Sequence, residues 1–151
     1  FSIGALRVHP FSISHDACDP AGFTVRRHET KLGIATDLGI ATSMVREHLK
    51  ACDVLILEAN HDSRMLLEGP YPWALKQRVK SRSGHLSNDD TRLLLEAVKT
   101  EKLKQVVLAH VSETNNTREK VFATVGEALN GGPDIGLAVA TQERSGQLIQ
   151  V

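Results

Sequence analysis

Short apolar runs alternate with longer amphipathic stretches along this chain, a pattern typical of an α/β protein. Near the start, β-branched and aromatic residues gather in four runs that predict strands, at residues 4–8, 11–15, 22–27 and 31–36. Pro10 and Pro20 separate the first three of these runs. Two later runs, 54–57 and 105–109, are continuously apolar or nearly so, which indicates strands buried on both faces.

Apolar residues at helical spacing predict helices between and after these strands. The expected helices are 43–51 with Thr42 or Ser43 as N-cap, two short pieces within 60–82 broken at 69–72, one that starts at Ser87 and ends near Thr100, and 117–129 closed by 131–133. Ser87 and Asp90 have the spacing of a capping signal. Residues 135–140 and 148–151 predict a closing hairpin around 143–146. Because the chain shows no repeat or linker, residues 1–151 are expected to form one α/β unit.

Composition narrows the class of protein. The chain has 151 residues, 41% hydrophobic and 24% charged, as in ordinary globular proteins. Apolar runs stay well short of the roughly 18 residues of a membrane span, so no membrane partner is expected. Eighteen acidic and eighteen basic side chains cancel, so the overall charge favours no polyanionic partner. Cys18 and Cys52 form neither a CxxC pair nor a disulfide framework, which favours a reducing, cytoplasmic location.

Histidines and an aspartate stand at the ends of several predicted elements. His15, Asp37 and His110 each follow a strand, and His85 directly precedes a helix. Each residue alone has an ordinary explanation, as a hydrogen-bonded rim histidine or a turn aspartate beside glycine. Together they predict a site, because ligands gather at the carboxyl ends of strands in layered α/β folds. Imidazoles with a carboxylate suit zinc, iron or manganese, whereas a thiolate from Cys18 has no second cysteine nearby to support it.

Five segments in this order resemble the later motifs of metallo-β-lactamase-fold hydrolases. They are FSISHDACDPAG (11–22), TDLG (36–39), LEANHD (57–62), SGHLS (83–87) and LAH (108–110). The resemblance extends over about residues 8–128 and is to the YycJ-like, or WalJ-like, branch, which is related to ribonuclease Z and ribonuclease J. It implies an αββα sandwich of which this chain is the second, C-terminal half.

The resemblance also implies roles. His15 and His110 would each bind one of two divalent ions, zinc or manganese, with iron as a further option, and Asp37 would bridge them. His85 would act near the scissile phosphate as a general acid or an oxyanion stabiliser. Behind these residues, Asp16 would accept the free ring N–H of a ligand histidine, and Glu58 and His61 would support the site or face the substrate.

One motif of the family is absent from the chain. HxHxDH, which supplies most ligands of the first metal, occurs nowhere among the seven histidines. The order of the remaining motifs would place it before Phe1, and the chain opens on FSIGALRV, which is typical of the middle of a sheet. We therefore expect the chain to be the C-terminal portion of the domain, with the HxHxDH part missing upstream.

Basic residues precede the His85 motif. The segment KQRVKSR (76–82) carries Lys76, Arg78, Lys80 and Arg82. It is either a solvated helix face or a surface that holds phosphates beside the site, and an extended conformation would put all four on one side. Tyr71 and Trp73 would stack on a base or, as is commoner, pack against the proline-containing turn. Asn116, beyond the final histidine, is a further candidate for substrate binding.

Three functions remain open from the sequence. The first is a dinuclear metallohydrolase, an exonuclease that cuts phosphodiesters of DNA or RNA, and the basic segment and the His85 motif favour it. The second is a hydrolase of a small thioester, lactone or cyclic nucleotide, because one fold hosts many activities. The third is a scaffold that keeps the fold and lacks metal. A homodimer is compatible with each of them.

Overall fold

A single mixed sheet forms the centre of the protein. The computed structural model describes residues 1–130 and 134–151, and in this part seven strands lie in the sheet in chain order. The strands are β1 (Ser2–Ile3), β2 (Leu6–Ser12), β3 (Ala21–Arg27), β4 (Thr30–Ala35), β5 (Val54–Glu58), β6 (Gln105–Ala109) and β7 (Gly136–Val139). The helices are α1 (Ser43–Leu49), α2 (Ser63–Glu68), α3 (Trp73–Val79), α4 (Asn88–Val98) and α5 (Arg118–Gly126), and a 3-10 turn (Glu127–Leu129) follows α5.

The strand directions change in the middle of the sheet. Strands β1 to β4 pair antiparallel, whereas β4 to β7 pair parallel. Each parallel connection carries at least one helix, because a parallel pair needs a long crossover. As a result β4, β5 and β6 end at the same edge of the sheet, where the residues that follow them meet.

Helices cover one face of this sheet. Side chains from α1, α4 and α5 pack on the inward-facing residues of the strands, and Leu49, Leu57, Leu95, Leu108 and Val121 are fully buried there. Strand β4 shows how tight the packing is: a Cβ on Gly33 would stand only 2.9 Å from Leu49 Cδ2 in α1. This layer accounts for the helical periodicity of the sequence.

The opposite face of the sheet is apolar and partly exposed. The register aligns Phe23 with Ile34, Ile34 with Ile56, and Ile56 with Val107, so these side chains form one row across four strands. Phe23 is 37% exposed, and the other three are intermediate. Within residues 1–130 and 134–151, no helix lies on this row, although rows of this kind are normally covered by another layer.

The predicted α/β class is confirmed, and several local predictions hold. Thr42 caps α1 by accepting from Val45 N, and Ser87 with Asp90 forms a complete capping box on α4. Two short helices, α2 and α3, occupy the segment before His85, separated by Gly69 and the proline-containing turn. The expected closure of the last helix by residues 131–133 lies outside the described residues.

Two strand predictions are wrong. Pro10 does not divide two strands but lies inside β2. Val8 N donates to Phe1 O, away from β3, and the Pro10 nitrogen lies on that same side of the strand. The missing N–H of Pro10 therefore removes no hydrogen bond between β2 and β3. The closing hairpin does not form either. Strand β7 pairs parallel with β6, and residues 140–151 contain no strand. An apolar run that follows a turn was therefore not enough to define a strand.

Among residues 1–130 and 134–151, none of the helices has the length and apolar character needed to cross a bilayer.

Candidate metal centre

The site lies at the edge of the sheet where the parallel strands end. Glu58 is the last residue of β5, while Asp37 and His110 follow β4 and β6. Asp37 and His110 both have positive φ, 59° and 54°. This left-handed conformation is uncommon for residues with a side chain, and it turns both of them at the strand ends. His85 reaches the same place from the loop before α4.

Four side chains converge there. Asp37, Glu58, His85 and His110 each offer one donor atom, and these atoms lie within 4.8 Å of one another. Glu58 is completely buried. Its Oε1 accepts from Nδ1 of His85 and from Nδ1 of His110, both at 2.7 Å. Its Oε2 faces the backbone N–H groups of Leu38 at 3.0 Å and Leu86 at 3.4 Å.

The hydrogen bonds of Glu58 shift the pKa values of Glu58 and His110. Burial alone would raise the pKa of Glu58, but the hydrogen bonds from His110, His85 and Leu38 outweigh it and lower the pKa below its usual range. The same hydrogen bond to Glu58 raises the pKa of His110, against the effect of its partial burial. Because Glu58 holds the Nδ1–H of both rings, Nε2 is left on each ring to bind a ligand or a proton.

His15 joins this group from the antiparallel side of the sheet. Its Nδ1 lies 3.1 Å from Gly84 O, to which it can donate, and its Nε2 lies 3.9 Å from Asp37 Oδ1. The rings of His15 and His110 flank the ring of His85, each with a centroid distance of 5.0 Å. The structure therefore brings His15, Asp37, His85 and His110 together, as the sequence predicts.

Asp16 has a different main contact from the one expected. Its Oδ2 pairs with Arg78 Nε at 2.5 Å, whereas its Oδ1 is 3.6 Å from His15 Nε2. The hydrogen bond from Arg78 lowers the pKa of Asp16. The backbone N–H of Asp16 also donates to Ser83 O at 3.0 Å. Asp16 thus ties the His15 loop to α3 and to the loop that carries His85, and Gly84 O provides the ring contact of His15.

His61 and Asn116 are buried beside the site. His61 is 2% exposed, burial lowers its pKa, and its Nδ1 has no hydrogen-bond partner among the described residues. Asn116 is 5% exposed and exchanges two hydrogen bonds with Asn88, at 2.9 and 3.0 Å. Its amide also donates to Ala59 O and Asn60 O. The Asn116 amide therefore already has hydrogen-bond partners within the protein. Its role in substrate binding stays a prediction.

The basic segment before His85 is largely helical, so its four cations do not share one side. Lys76 Nζ donates to Leu67 O at 2.7 Å, at the end of α2. Arg78 turns the other way, toward Asp16. Lys80 and Arg82 are exposed. The alternative in which an extended segment presents all four together is wrong, because residues 73–79 form α3.

Sequence reasoning missed two supports of the site. Thr91 Oγ1 donates to Glu58 O at 2.6 Å and holds the end of β5 against α4. Gly39 lies so close to the backbone of residues 81–84 that a Cβ could not fit. A glycine two residues after a candidate ligand was the only local signal for this contact, and Thr91 gave none.

The chain is similar in sequence to known proteins of one superfamily. A family model described as "Beta-lactamase superfamily domain" matches residues 1–111. The curated "Exodeoxyribonuclease YycJ" of Bacillus anthracis is 34% identical over 128 residues, which cover 85% of this chain and 48% of that protein. The chain therefore spans about half the length of the curated relatives it matches.

Two solved structures show the same arrangement of elements. The metallo-β-lactamase fold protein YhfI from Bacillus subtilis aligns with a TM-score of 0.65 at 13% identity, over 93% of this chain and 48% of that one. Zn(2+)-bound PqqB from Methylobacterium extorquens aligns with a TM-score of 0.62 at 17% identity, over 91% of this chain and 45% of that one. At these identities, the two structures inform the fold alone.

Proposed function

Because the chain belongs to the β-lactamase superfamily domain family, we propose that it forms part of a metal-dependent nuclease that hydrolyses phosphodiesters of nucleic acid. The metallo-β-lactamase fold and the resemblance to the YycJ-like branch, both predicted from the sequence, are confirmed. The observation that carries the proposal is the convergence of Asp37, Glu58, His85 and His110 within 4.8 Å. Activity on DNA is favoured, since the relative of Bacillus anthracis is named an exodeoxyribonuclease.

The residues present fit divalent metal. His15, Asp37 and His110 would hold it, because His15 and His110 have Nδ1 engaged by Gly84 O and Glu58 and present Nε2 as a free donor. Both oxygens of Glu58 are occupied, so Glu58 orients the ligands rather than binding metal. We propose two ions, zinc or manganese, or else iron, as nitrogen and oxygen donors accept all three. When bound, such ions act as Lewis acids toward a phosphodiester.

His85 would act on the substrate side. Glu58 accepts its Nδ1–H, which fixes the orientation of the ring and leaves Nε2 without this partner. Nε2 is then the atom that can hold a proton and pass it to a leaving oxygen, or donate to an oxyanion. Asp16, through Arg78 and Ser83, would keep the loop of His85 in place. His61 would support the site from behind. Lys76, Arg78, Lys80 and Arg82 would attract the nucleic acid.

The full site is proposed to need more of the domain. The relatives are about twice as long as the stretch they share with this chain, and the apolar row from Phe23 to Val107 is of the kind that a second sheet covers. We therefore propose that this chain is the C-terminal part of an αββα domain whose N-terminal part supplies HxHxDH. A cytoplasmic location fits two free cysteines, Cys18 and Cys52.

Metal analysis of the full-length protein tests the proposal. Elemental analysis should find about two equivalents of zinc, manganese or iron per chain, and linear DNA should be degraded from its ends in a reaction that EDTA stops. The scaffold alternative would be supported if reconstituted protein bound no metal and degraded neither DNA nor RNA. Hydrolysis of a small thioester or lactone with intact nucleic acid would instead support the small-substrate alternative.

A further inference from the structure

Helix α3 presents an exposed tryptophan close to the candidate site. Trp73, at the start of the helix, is 64% exposed. It is the only tryptophan in the chain. Packing against the proline-containing turn, the commoner expectation from the sequence, therefore does not account for this side chain. A large aromatic left in solvent near a catalytic rim is a candidate for binding.

A groove runs beside this tryptophan. Its volume is about 400 Å³, and Leu67, Trp73, Lys76, Gln77 and Lys80 line it. The four α3 and C-cap residues are spaced i, i+3, i+4 and i+7, so they share one side of the helix. Leu67, from α2, forms the opposite wall and is 48% exposed. The apolar side chains of Leu67 and Trp73 thus line the groove together with the ammonium groups of lysines from α3 and its C-cap.

The charge of the groove is positive. Lys80 is exposed and forms no ion pair with the described residues, whereas Lys76 holds the carbonyl of Leu67. Glu68, the acidic residue next to Leu67, pairs with Arg64 at 2.9 Å on the exposed surface. An aromatic face with neighbouring cations is the combination that binds single-stranded nucleic acid without sequence preference.

We propose that this groove binds the single-stranded end of a nucleic acid, with a base stacked on Trp73 and a phosphate at Lys80. This inference rests on the proposed nuclease function and names the form of its substrate. It distinguishes a single strand from a duplex, because bases inside a duplex cannot stack on an external indole.

The groove and the candidate metal centre lie on opposite sides of the same helix, α3. The opposite side of α3, with Leu75, Arg78 and Val79, faces His85 and Asp16. A strand that leaves the groove has to pass around the helix, whose diameter is roughly 10–12 Å, so half of its circumference is roughly 16–19 Å. At about 3.4 Å per stacked nucleotide, that path corresponds to roughly five nucleotides. A strand anchored at Trp73 would therefore reach His85 about five nucleotides from the stacked base.

The test uses binding in the absence of turnover. Full-length protein in EDTA is titrated with a fluorescein-labelled dodecamer of thymidine, and anisotropy gives the dissociation constant. Trp73→Ala should weaken binding about tenfold, as loss of one stacked base does, and Trp73→Phe should weaken it less. Leu93→Ala removes another exposed apolar side chain, 51% exposed on α4, and should leave binding unchanged. In wild type, the unlabelled strand should quench the emission that Trp73→Phe removes.

Binding in the groove and hydrolysis of DNA can be tested separately. Equal dissociation constants for wild type and Trp73→Ala, or an unquenched Trp73, would overturn the groove assignment even if the wild-type protein hydrolyses DNA. Quenching through Trp73 in a wild-type protein that hydrolyses no phosphodiester would support the groove and refute the nuclease. A dimer, seen by light scattering, that Trp73→Ala dissociates would show a second copy of the chain in the groove and would overturn the proposal.

Discussion

A single carboxylate oxygen of Glu58 accepts hydrogen bonds from both His85 and His110, each at 2.7 Å. His85 and His110 come from different loops, and the buried carboxylate at the end of β5 joins them. Replacing Glu58 by Gln tests this arrangement, because an amide has one acceptor oxygen. If the amide oxygen faces the histidines, the NH₂ group faces the backbone N–H groups of Leu38 and Leu86, so that donor meets donor. In the reverse orientation the NH₂ group faces the Nδ1–H groups of the two rings, and neither ring keeps its acceptor.

Glu58→Gln is therefore expected to weaken metal binding by about 10- to 100-fold, the usual cost of losing the partner of a ligand histidine. Competition with a chelator in the full-length protein measures this change. Glu68→Gln is the matched control, because it makes the same chemical change at a carboxylate that is 65% exposed and pairs with Arg64 rather than with a histidine. It should leave metal binding unchanged. Unaltered metal affinity in Glu58→Gln would show that the rings are held by something other than this carboxylate.

His85 and His110 are expected to differ in what their loss removes. His110→Ala should lower the bound metal, because it removes a proposed ligand. His85→Ala should abolish hydrolysis with the metal content near that of wild type, because His85 is proposed to act on the substrate. Elemental analysis and a nuclease assay on the same preparations check both statements. Loss of metal from His85→Ala would make His85 a ligand, and retention by His110→Ala would remove it from the ligand set.

Gly39 connects the loop of Asp37 to the loop of His85. Its N–H donates to Ser14 O at 2.9 Å, and a Cβ at this position would collide with backbone atoms of residues 81–84. Gly39→Ala should therefore displace the loop that carries His85 and cost about 1–3 kcal/mol of stability, in the range for overpacking. Hydrolysis should fall at least tenfold. Thermal or urea unfolding and the nuclease assay measure the two effects.

Gly146→Ala is the control for this substitution, because a Cβ there meets nothing within 4 Å. It should leave both stability and hydrolysis near wild type. Equal behaviour of the two alanine variants would mean that the loops of Asp37 and His85 move independently.

Much of the site could be predicted because strand ends are visible in the sequence. Asp37 and His110 follow apolar runs that pair in parallel, and this placement is a rule of the fold class. The double contact of Glu58 could not be predicted, since it depends on two loops 27 and 52 residues away. The exposure of Trp73 could not be predicted for a similar reason: exposure depends on what packs against a residue, and the local sequence pattern does not contain that information.

Asn116 offers a test between a structural and a substrate-binding role. Asn116→Ala would leave the side-chain amide of Asn88 and the carbonyl of Ala59 without the hydrogen bonds that Asn116 makes to them in a buried place. It should lower the free energy of unfolding by about 2 kcal/mol. Exposed Asn130→Ala should change it by less than about 0.5 kcal/mol. An unchanged stability together with a raised KM for DNA would favour the substrate role that the sequence suggested.

Asp62 should make the stability of the protein depend on pH. Its Oδ1 caps α2 by accepting from Met65 N at 2.8 Å, and its Oδ2 pairs with Lys120 at 3.0 Å. Burial opposes ionisation, but the bonds from Met65 and Lys120 outweigh it and lower the pKa of Asp62. Because the pKa of Asp62 is lower in the folded state than in the unfolded chain, the unfolded chain binds the proton more readily. Acidification therefore favours the unfolded chain and lowers the free energy of unfolding.

The contribution of the charge is therefore complete above about pH 5 and disappears as pH falls through the folded pKa, which lies below the ordinary value near 3.9. Asp62→Asn keeps a capping side chain and removes the charge. At pH 6 to 7 the free energy of unfolding of wild type should exceed that of this variant by up to about 1 kcal/mol, and the difference should shrink steadily as the pH falls below the ordinary pKa of an aspartate. Urea unfolding at several pH values measures it, and a difference that stays constant with pH would show that the carboxylate charge stabilises nothing here.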